Sequence, residues 1–242
     1  METNYTKPKT LLSKGASNAK TAKNSLESYI LYLAPHRQNS KGINLCPAAS
    51  QGCAAACLYT AGRGRFSNVQ QARINRTEYY LEDREGFMLQ LAGELVKINN
   101  KAKKTSDLVA IRLNGTSDID FIYQLKKYAA LDVFKLDWLI FYDYTKILGK
   151  VKKYAGEGRY YLTFSRAEDN EHQIEEALSL GANVSVVFNG PAPYTYAGAP
   201  VVDGDTSDLV MCYNRSAVLA LKAKGDARRD RSGFTVNTAV TI

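Results

Sequence analysis

The sequence predicts an α/β fold, a partial or full (β/α) barrel of about six parallel strands with a cysteine loop after the first strand. Two observations and one rule predict it. Short β-branched and aromatic runs alternate with helix-period stretches about five or six times along the chain. Turn residues such as Pro35 and Gly181 stand where one pattern gives way to the other. The layer rules turn that alternation into parallel strands joined by right-handed crossovers, with an open doubly wound sheet as the alternative to a barrel.

The first twenty-five residues are rich in Lys, Asn, Ser and Thr and carry no period, so residues 1–25 are expected to form a loosely packed arm. Residues 26–242 are expected to form a single α/β domain. Its first strand is Ser28 to Ala34, ended by Pro35 and followed by a long loop. Asn68 to Asn99 gives a long helical pattern, broken near Asp83 or Gly86. Leu108 to Leu113 is a second strand, and Phe121 to Leu131 a helix. The unit then repeats: strand Trp138 to Tyr144, helix Ile147 to Tyr154, strand Arg159 to Ser165, helix His172 to Leu180, strand Asn183 to Asn189. Gly181 is placed to end the last helix in a left-handed turn. Pro200 to Asp203 is a short sixth strand, and residues 218 to 221 offer another.

No apolar run reaches the roughly 18 residues of a membrane span, and the first twenty residues contain no secretory h-region, so a cytoplasmic protein is expected. The net charge is +8, which favours an anionic partner, a small metabolite or nucleic acid. Much of the excess lies in runs such as Lys101, Lys103 and Lys104, or Arg228, Arg229 and Arg231, with no interleaved aromatics, and a solvated surface explains those runs more simply.

Three of the four cysteines fall within twelve residues, as C-x6-C-x3-C at Cys46, Cys53 and Cys57. Such crowding in a long chain from a reducing compartment points to metal or catalysis ahead of disulfides. Ala48, Ala49, Ala54, Ala55 and Ala56 leave room for a bulky inorganic group near the thiolates, whose softness selects zinc, Cu(I) or an iron-sulfur cluster. The paired C-x2-C knuckles of common zinc modules are absent. Three thiolates suit three corners of a [4Fe-4S] cube, with the fourth iron open or capped by Cys212, His36 or an outside ligand. A four-thiolate zinc site and inert core thiols are the competing readings.

In parallel α/β architectures chemistry gathers at the carboxyl ends of strands. Those ends offer Arg112, Asn114, Ser117 and Asp118, then Asp143, then Thr163 and Ser165, then Asn189. Arg112 follows the apolar VAI, which suits a guanidinium binding a carboxylate or phosphate in bidentate fashion. Asp143 stands in an aromatic run, where burial raises a carboxyl pKa unless a cation compensates. Arg112, Asp118 and Asp143 are the candidate catalytic residues; Asn114, Ser117, Thr163, Ser165 and Asn189 are candidates for ligand binding. With only His36 and His172 in the chain, a Ser-His-Asp triad has little support.

The order of a strand, a three-cysteine loop and a repeated βα pattern resembles the plan of radical S-adenosylmethionine enzymes, although their motif is C-x3-C-x2-C. A closer resemblance, carried by CPAASQGCAAAC, LYTAGRGR, RLNGTSD, FYDYTK and LTFSRAEDNE, is to bacteriophage proteins of the gene product 88-like kind. The first resemblance implies S-adenosylmethionine as a possible second cofactor; the second implies a host-cell cytoplasm. Two functions are expected to compete: a redox or radical enzyme acting on a small anionic ligand, and a non-enzymatic cluster-stapled protein that binds nucleic acid or a host factor.

Overall fold

The computed structural model describes residues 5–17, 24–57, 59 and 62–238. In chain order its elements begin with β1 (Leu12–Lys14), β2 (Ser28–Leu31), α1 (Gln51–Ala55), α2 (Ser67–Glu82), α3 (Arg84–Thr105), β3 (Val109–Arg112) and α4 (Phe121–Ala129). They continue with β4 (Leu139–Thr145), α5 (Leu148–Tyr154), β5 (Tyr160–Ser165), α6 (Ile174–Ser179), β6 (Asn183–Asn189), β7 (Thr195–Tyr196), β8 (Ala199–Asp203), α7 (Val210–Tyr213), β9 (Val218–Lys222) and β10 (Val236–Asn237). The chain divides into two compact units, one of Met1–Pro47 with Arg63–Phe141, the other of Ala48–Gly62 with Tyr142–Ile242.

In the first unit β2 and β3 run parallel with Tyr29 opposite Ile111, and β3 runs parallel to the start of β4 with Ile111 opposite Phe141. The strands read as nearly continuous apolar runs because both faces are covered: Ile30, Leu31, Ala110 and Ile111 are all inaccessible to solvent. The long helical pattern breaks at Asp83, whose φ of −130° ends α2 and whose carboxylate then accepts the Gly86 amide at 2.9 Å to begin α3. Tyr80 and Phe87, on either side of that break, pack edge to face at 5.4 Å. The region expected to form an arm supplies β1, which pairs antiparallel with β2 and buries Leu11 and Leu12.

In the second unit the strand order is β4, β5, β6, β9, β8, β7, so β9 inserts between β6 and β8 although it follows both in sequence. β6 is parallel to β5, β9 and β10, and β7 forms an antiparallel hairpin with β8. Val184, Val186 and Val218 are fully buried along this seam. Gly181 takes φ +80° after α6, a left-handed turn that suits glycine.

The fold is therefore mixed α/β, and it corrects the expectation of a partial or full (β/α) barrel of about six parallel strands on the radical S-adenosylmethionine plan. Among the described residues, the strands of each unit form an open, mixed arrangement. Closure needs free edges with matching direction; in the first unit β1 occupies the edge of β2, and in the second the hairpin of β7 and β8 ends the sheet. Among the described residues, no helix is long and apolar enough to cross a membrane.

Candidate functional site

The second unit builds its most chemically loaded corner around α1. Ser50 caps this helix by accepting the Cys53 amide at 3.0 Å, and the same hydroxyl donates to Glu168 at 2.7 Å. The other Glu168 oxygen accepts the Gly52 amide at 2.7 Å, so one carboxylate from the loop after β5 fastens the first turn of α1. Burial pushes the Glu168 carboxyl up, but hydrogen bonds from Ser50, its own amide and Gly52 outweigh it and hold the group below the usual carboxylate range. Gly52 leaves no room for a side chain, since a Cβ there would lie 2.0 Å from Ser232 Oγ and 2.7 Å from Phe234 Cβ.

Cys53 packs against an apolar cluster of Ala56, Ala167, Ala223, Ala227 and Phe234. Burial pushes its thiol pKa up; the Lys146 ammonium, which also hydrogen-bonds it, pulls the other way, while neighbouring Cys57 and Glu168 push up again. Lys146 is itself oriented, donating to Ser165 Oγ at 2.7 Å and lying 5.5 Å from the centre of the Phe234 ring. Lys146 thus lies over Phe234, one member of the apolar cluster against which Cys53 packs. Left alone, the buried sulfur stays a thiol; a soft cation would add the positive charge that turns it into a thiolate ligand.

A C-terminal strap completes this corner. Arg166, buried, donates to the Gly233 carbonyl at 2.5 Å, to that of Phe234 at 2.9 Å and to Glu171 at 2.8 Å. Tyr196 also donates to Glu171, and burial with that hydrogen bond pushes the Tyr196 phenol up to about 12. Asp230 accepts from Ser232 and Thr235 through both amides and both hydroxyls. Those bonds overcome burial and bring the Asp230 carboxyl down to about 2. Between α1 and this strap runs a groove of about 390 Å³, lined by Gln51, Gly52, Ala55, Arg229, Asp230 and Arg231 among others.

In the first unit the Cys46 thiol faces the Thr116 carbonyl at 3.6 Å, and its amide donates to Asn44 at 2.9 Å. Asn114, buried, organises the loop after β3: its side-chain oxygen accepts from Ser117 Oγ at 3.0 Å and from the Ile119 amide at 2.8 Å. Arg112 donates from Nε to the Asn114 carbonyl at 3.2 Å, and the Asp118 amide reaches the Leu45 carbonyl at 2.9 Å. Arg112, Asn114, Ser117 and Asp118 therefore do share one loop, and the cysteine segment is stitched to it. Burial lowers the His36 pKa, favouring the neutral ring.

The remaining strand-end candidates scatter within the second unit. Ser165 stands beside Lys146. Thr163 is fully buried with its hydroxyl on Met211 sulfur at 3.6 Å, and Asp143, 1% exposed, meets the Tyr160 hydroxyl at 3.4 Å. Asn189 bonds the Asn237 side chain at 3.1 Å, on β10. Among the described residues, no group of three or more His, Cys, Asp or Glu side chains lies in an arrangement ready to hold a metal ion. Cys53 and Cys57 are neighbours, but the Cys46 thiol is engaged with a backbone carbonyl, so the donors suit a soft metal by chemistry and are not preassembled around one. Burial pushes the Cys212 thiol up to about 12.

Lys146, Ser50 and Glu168 escaped the reading of strand ends, although Lys146 directly follows β4 and Glu168 lies in the loop after β5. The stretches FYDYTK and LTFSRAEDNE contain two of them, which is the signal that was available. The family model described as Gene product 88 matches residues 6–238. No curated protein and no solved structure matches the chain.

Proposed function

This chain belongs to the Gene product 88 family, and on that premise we propose that it is a phage-type [4Fe-4S] protein working in the cytoplasm of a host cell. Cys46, Cys53 and Cys57 are the proposed ligands. The observation that carries the reading is the end of α1, where Cys53 and Cys57 are neighbours beside the Lys146 ammonium. A cationic hydrogen-bond donor at a buried thiol favours the anionic form that ligates soft metals. Cys46 joins by giving up its contact with the Thr116 carbonyl, so cluster binding and local ordering of the segment are coupled. When bound, the cluster supplies one-electron chemistry; the chain's own residues hold it and set its surroundings.

A redox or radical reaction on a small anionic ligand is the activity this reading favours, with Arg112 and Asp118 the proposed orienting groups in the loop beside Cys46. The alternative, a cluster-stapled binder of nucleic acid, draws on Arg229 and Arg231 along the groove. Steep salt dependence of binding to single- or double-stranded oligonucleotides would favour that alternative.

The test is anaerobic purification followed by an optical spectrum and counts of iron, sulfide and zinc, repeated after adding S-adenosylmethionine. Cys46→Ser, Cys53→Ser and Cys57→Ser are each expected to lose the chromophore and most of the iron, while Cys212→Ser keeps both. Folded wild-type protein that is colourless and iron-free, or that contains one zinc, overturns the proposal. Equal loss in Cys212→Ser would replace an open fourth iron with a closed four-thiolate site.

A further inference from the structure

We propose that the outer face of α3 and α4, in the first unit, is a docking surface for the phosphodiester backbone of a nucleic acid; this rests on the nucleic-acid alternative above and on no bound cluster. The helices place the charge. Lys97, Lys101 and Lys104 recur at helical spacing on α3, so they share one solvent stripe opposite the buried Leu91, Leu95 and Ala102. Lys103 is exposed beside them. Helix α4 packs alongside α3, buries Phe121, Ile122 and Leu125, and leaves Tyr123, Lys126 and Lys127 exposed. The two helices join neighbouring parallel strands, β2 to β3 and β3 to β4, and right-handed crossovers in one direction put them on the same side of the sheet. Two lysine runs separated in sequence by β3 thus share one helical layer.

The charge of that layer is unmatched. Residues 95–106 and the whole of α4 contain no Asp or Glu against the lysines at 97, 101, 103, 104, 126 and 127. Among the described residues only Lys101 of these is ion-paired, to Glu27 at 3.6 Å, and Glu27 is shared with Lys14. Nearby acids are engaged by backbone amides: Glu94 accepts from Leu11 and Leu12, Asp120 from Tyr123 and Asp132 from Phe134. The negative ends of two helix dipoles amount to about half a charge each, so they offset about one lysine of the set. Like charges held together on one face repel one another, and a polyanion laid across them relieves that repulsion.

The form of the array selects the partner. Lys97 and Lys104 lie about 10 Å apart along the helix axis, a span that several phosphates of one strand fill and a single small anion does not. Ammonium groups on flexible stems contact phosphates as point charges and read no base sequence. Helix α4 supplies the aromatic surface that the α3 run lacks: Tyr123 is 52% exposed, and the Lys127 ammonium lies 5.1 Å from the centre of the Tyr128 ring.

The experiment measures binding of the full chain to labelled duplex and single-stranded DNA of two unrelated sequences between about 50 and about 200 mM salt, with anionic lipid vesicles as the comparison. Six phosphate contacts on duplex DNA predict a slope of log Kobs against log salt of about −5. Lys97→Gln with Lys104→Gln, and separately Lys126→Gln with Lys127→Gln, are each expected to flatten that slope by about 2 on both sequences alike. Arg229→Gln with Arg231→Gln, in the groove of the second unit, is expected to leave it unchanged. Duplex and single strand share the phosphate chemistry, and the more tightly bound of them names the source. Bound DNA is also expected to protect Lys97, Lys104, Lys126 and Lys127 of the wild-type protein from acetylation, read by mass spectrometry, a test that needs no folded variant. Unchanged slopes in both lysine pairs, or no protection under saturating DNA, overturn this inference; a loss confined to the arginine pair does so while keeping the nucleic-acid reading in the groove. No binding to either DNA, or binding to vesicles alone, overturns both. The iron-sulfur reading is decided separately, by the metal counts above.

Discussion

Gly52 shows how one missing side chain fixes the position of a thiol. Its amide is spent on Glu168, and the space a Cβ would need is filled by Ser232 Oγ at 2.0 Å and Phe234 Cβ at 2.7 Å. Because a Phe234 backbone-linked carbon cannot swing aside as a lysine tip can, Gly52→Ala must push α1 off the strap. The expected outcome is a loss of stability of about 1–3 kcal/mol with weakened iron retention, measured by denaturant unfolding and metal counts. An alanine variant as stable as wild type would show that α1 and the strap are not in contact in solution. None of this is legible in the sequence, where Gly52 is one more small residue among the alanines of the cysteine segment. The cysteines were legible because three rare residues in twelve stand out; Lys146 was not, because a lysine after a strand is ordinary until its neighbours are known.

Elements with a long period were the readable ones. The break near Asp83 came from the pattern of α2 and α3, and the capping bond from Asp83 to Gly86 supplies its cause. Strand β6 runs from Asn183 to Asn189, as its sequence VSVVF between polar ends predicts. Strands of two or three residues, β1, β7 and β10, cannot display alternation and were missed. The turn before β10 is held instead by side-chain chemistry. Asp230 has a folded pKa of about 2 against 3.8 for an unperturbed carboxyl. Its stabilising contribution is thus complete above 3.8 and disappears as pH falls through about 2. Asp230→Asn should melt below wild type at pH 7, and the gap in melting temperature should close as the pH is taken from 3.8 toward 2. A gap of constant size over that range would mean that the carboxylate's charge plays no part in the turn.

The chain's two units show what alternation alone leaves open. Strand and helix in turn imply parallel neighbours, and β2 with β3, β5 with β6 and β6 with β9 are indeed parallel. Whether a sheet closes depends on what sits at its edges, and that is decided by short segments with weak local signals. In the first unit the deciding segment is the polar N-terminal stretch, whose Leu11 and Leu12 are its few apolar residues and are both buried. Glu94 on α3 accepts their amides at 2.8 and 3.0 Å, so this segment is fixed by backbone bonds as well as by burial. Leu11 is wholly inaccessible, and truncating such a side chain costs about 2–5 kcal/mol. Leu11→Ala should therefore lower unfolding stability by an amount in that range, whereas Leu89→Ala, at a residue 53% exposed, should change it little. Equal, small effects at both positions would return the segment to the status of a loose arm and leave the edge of β2 open to a partner strand.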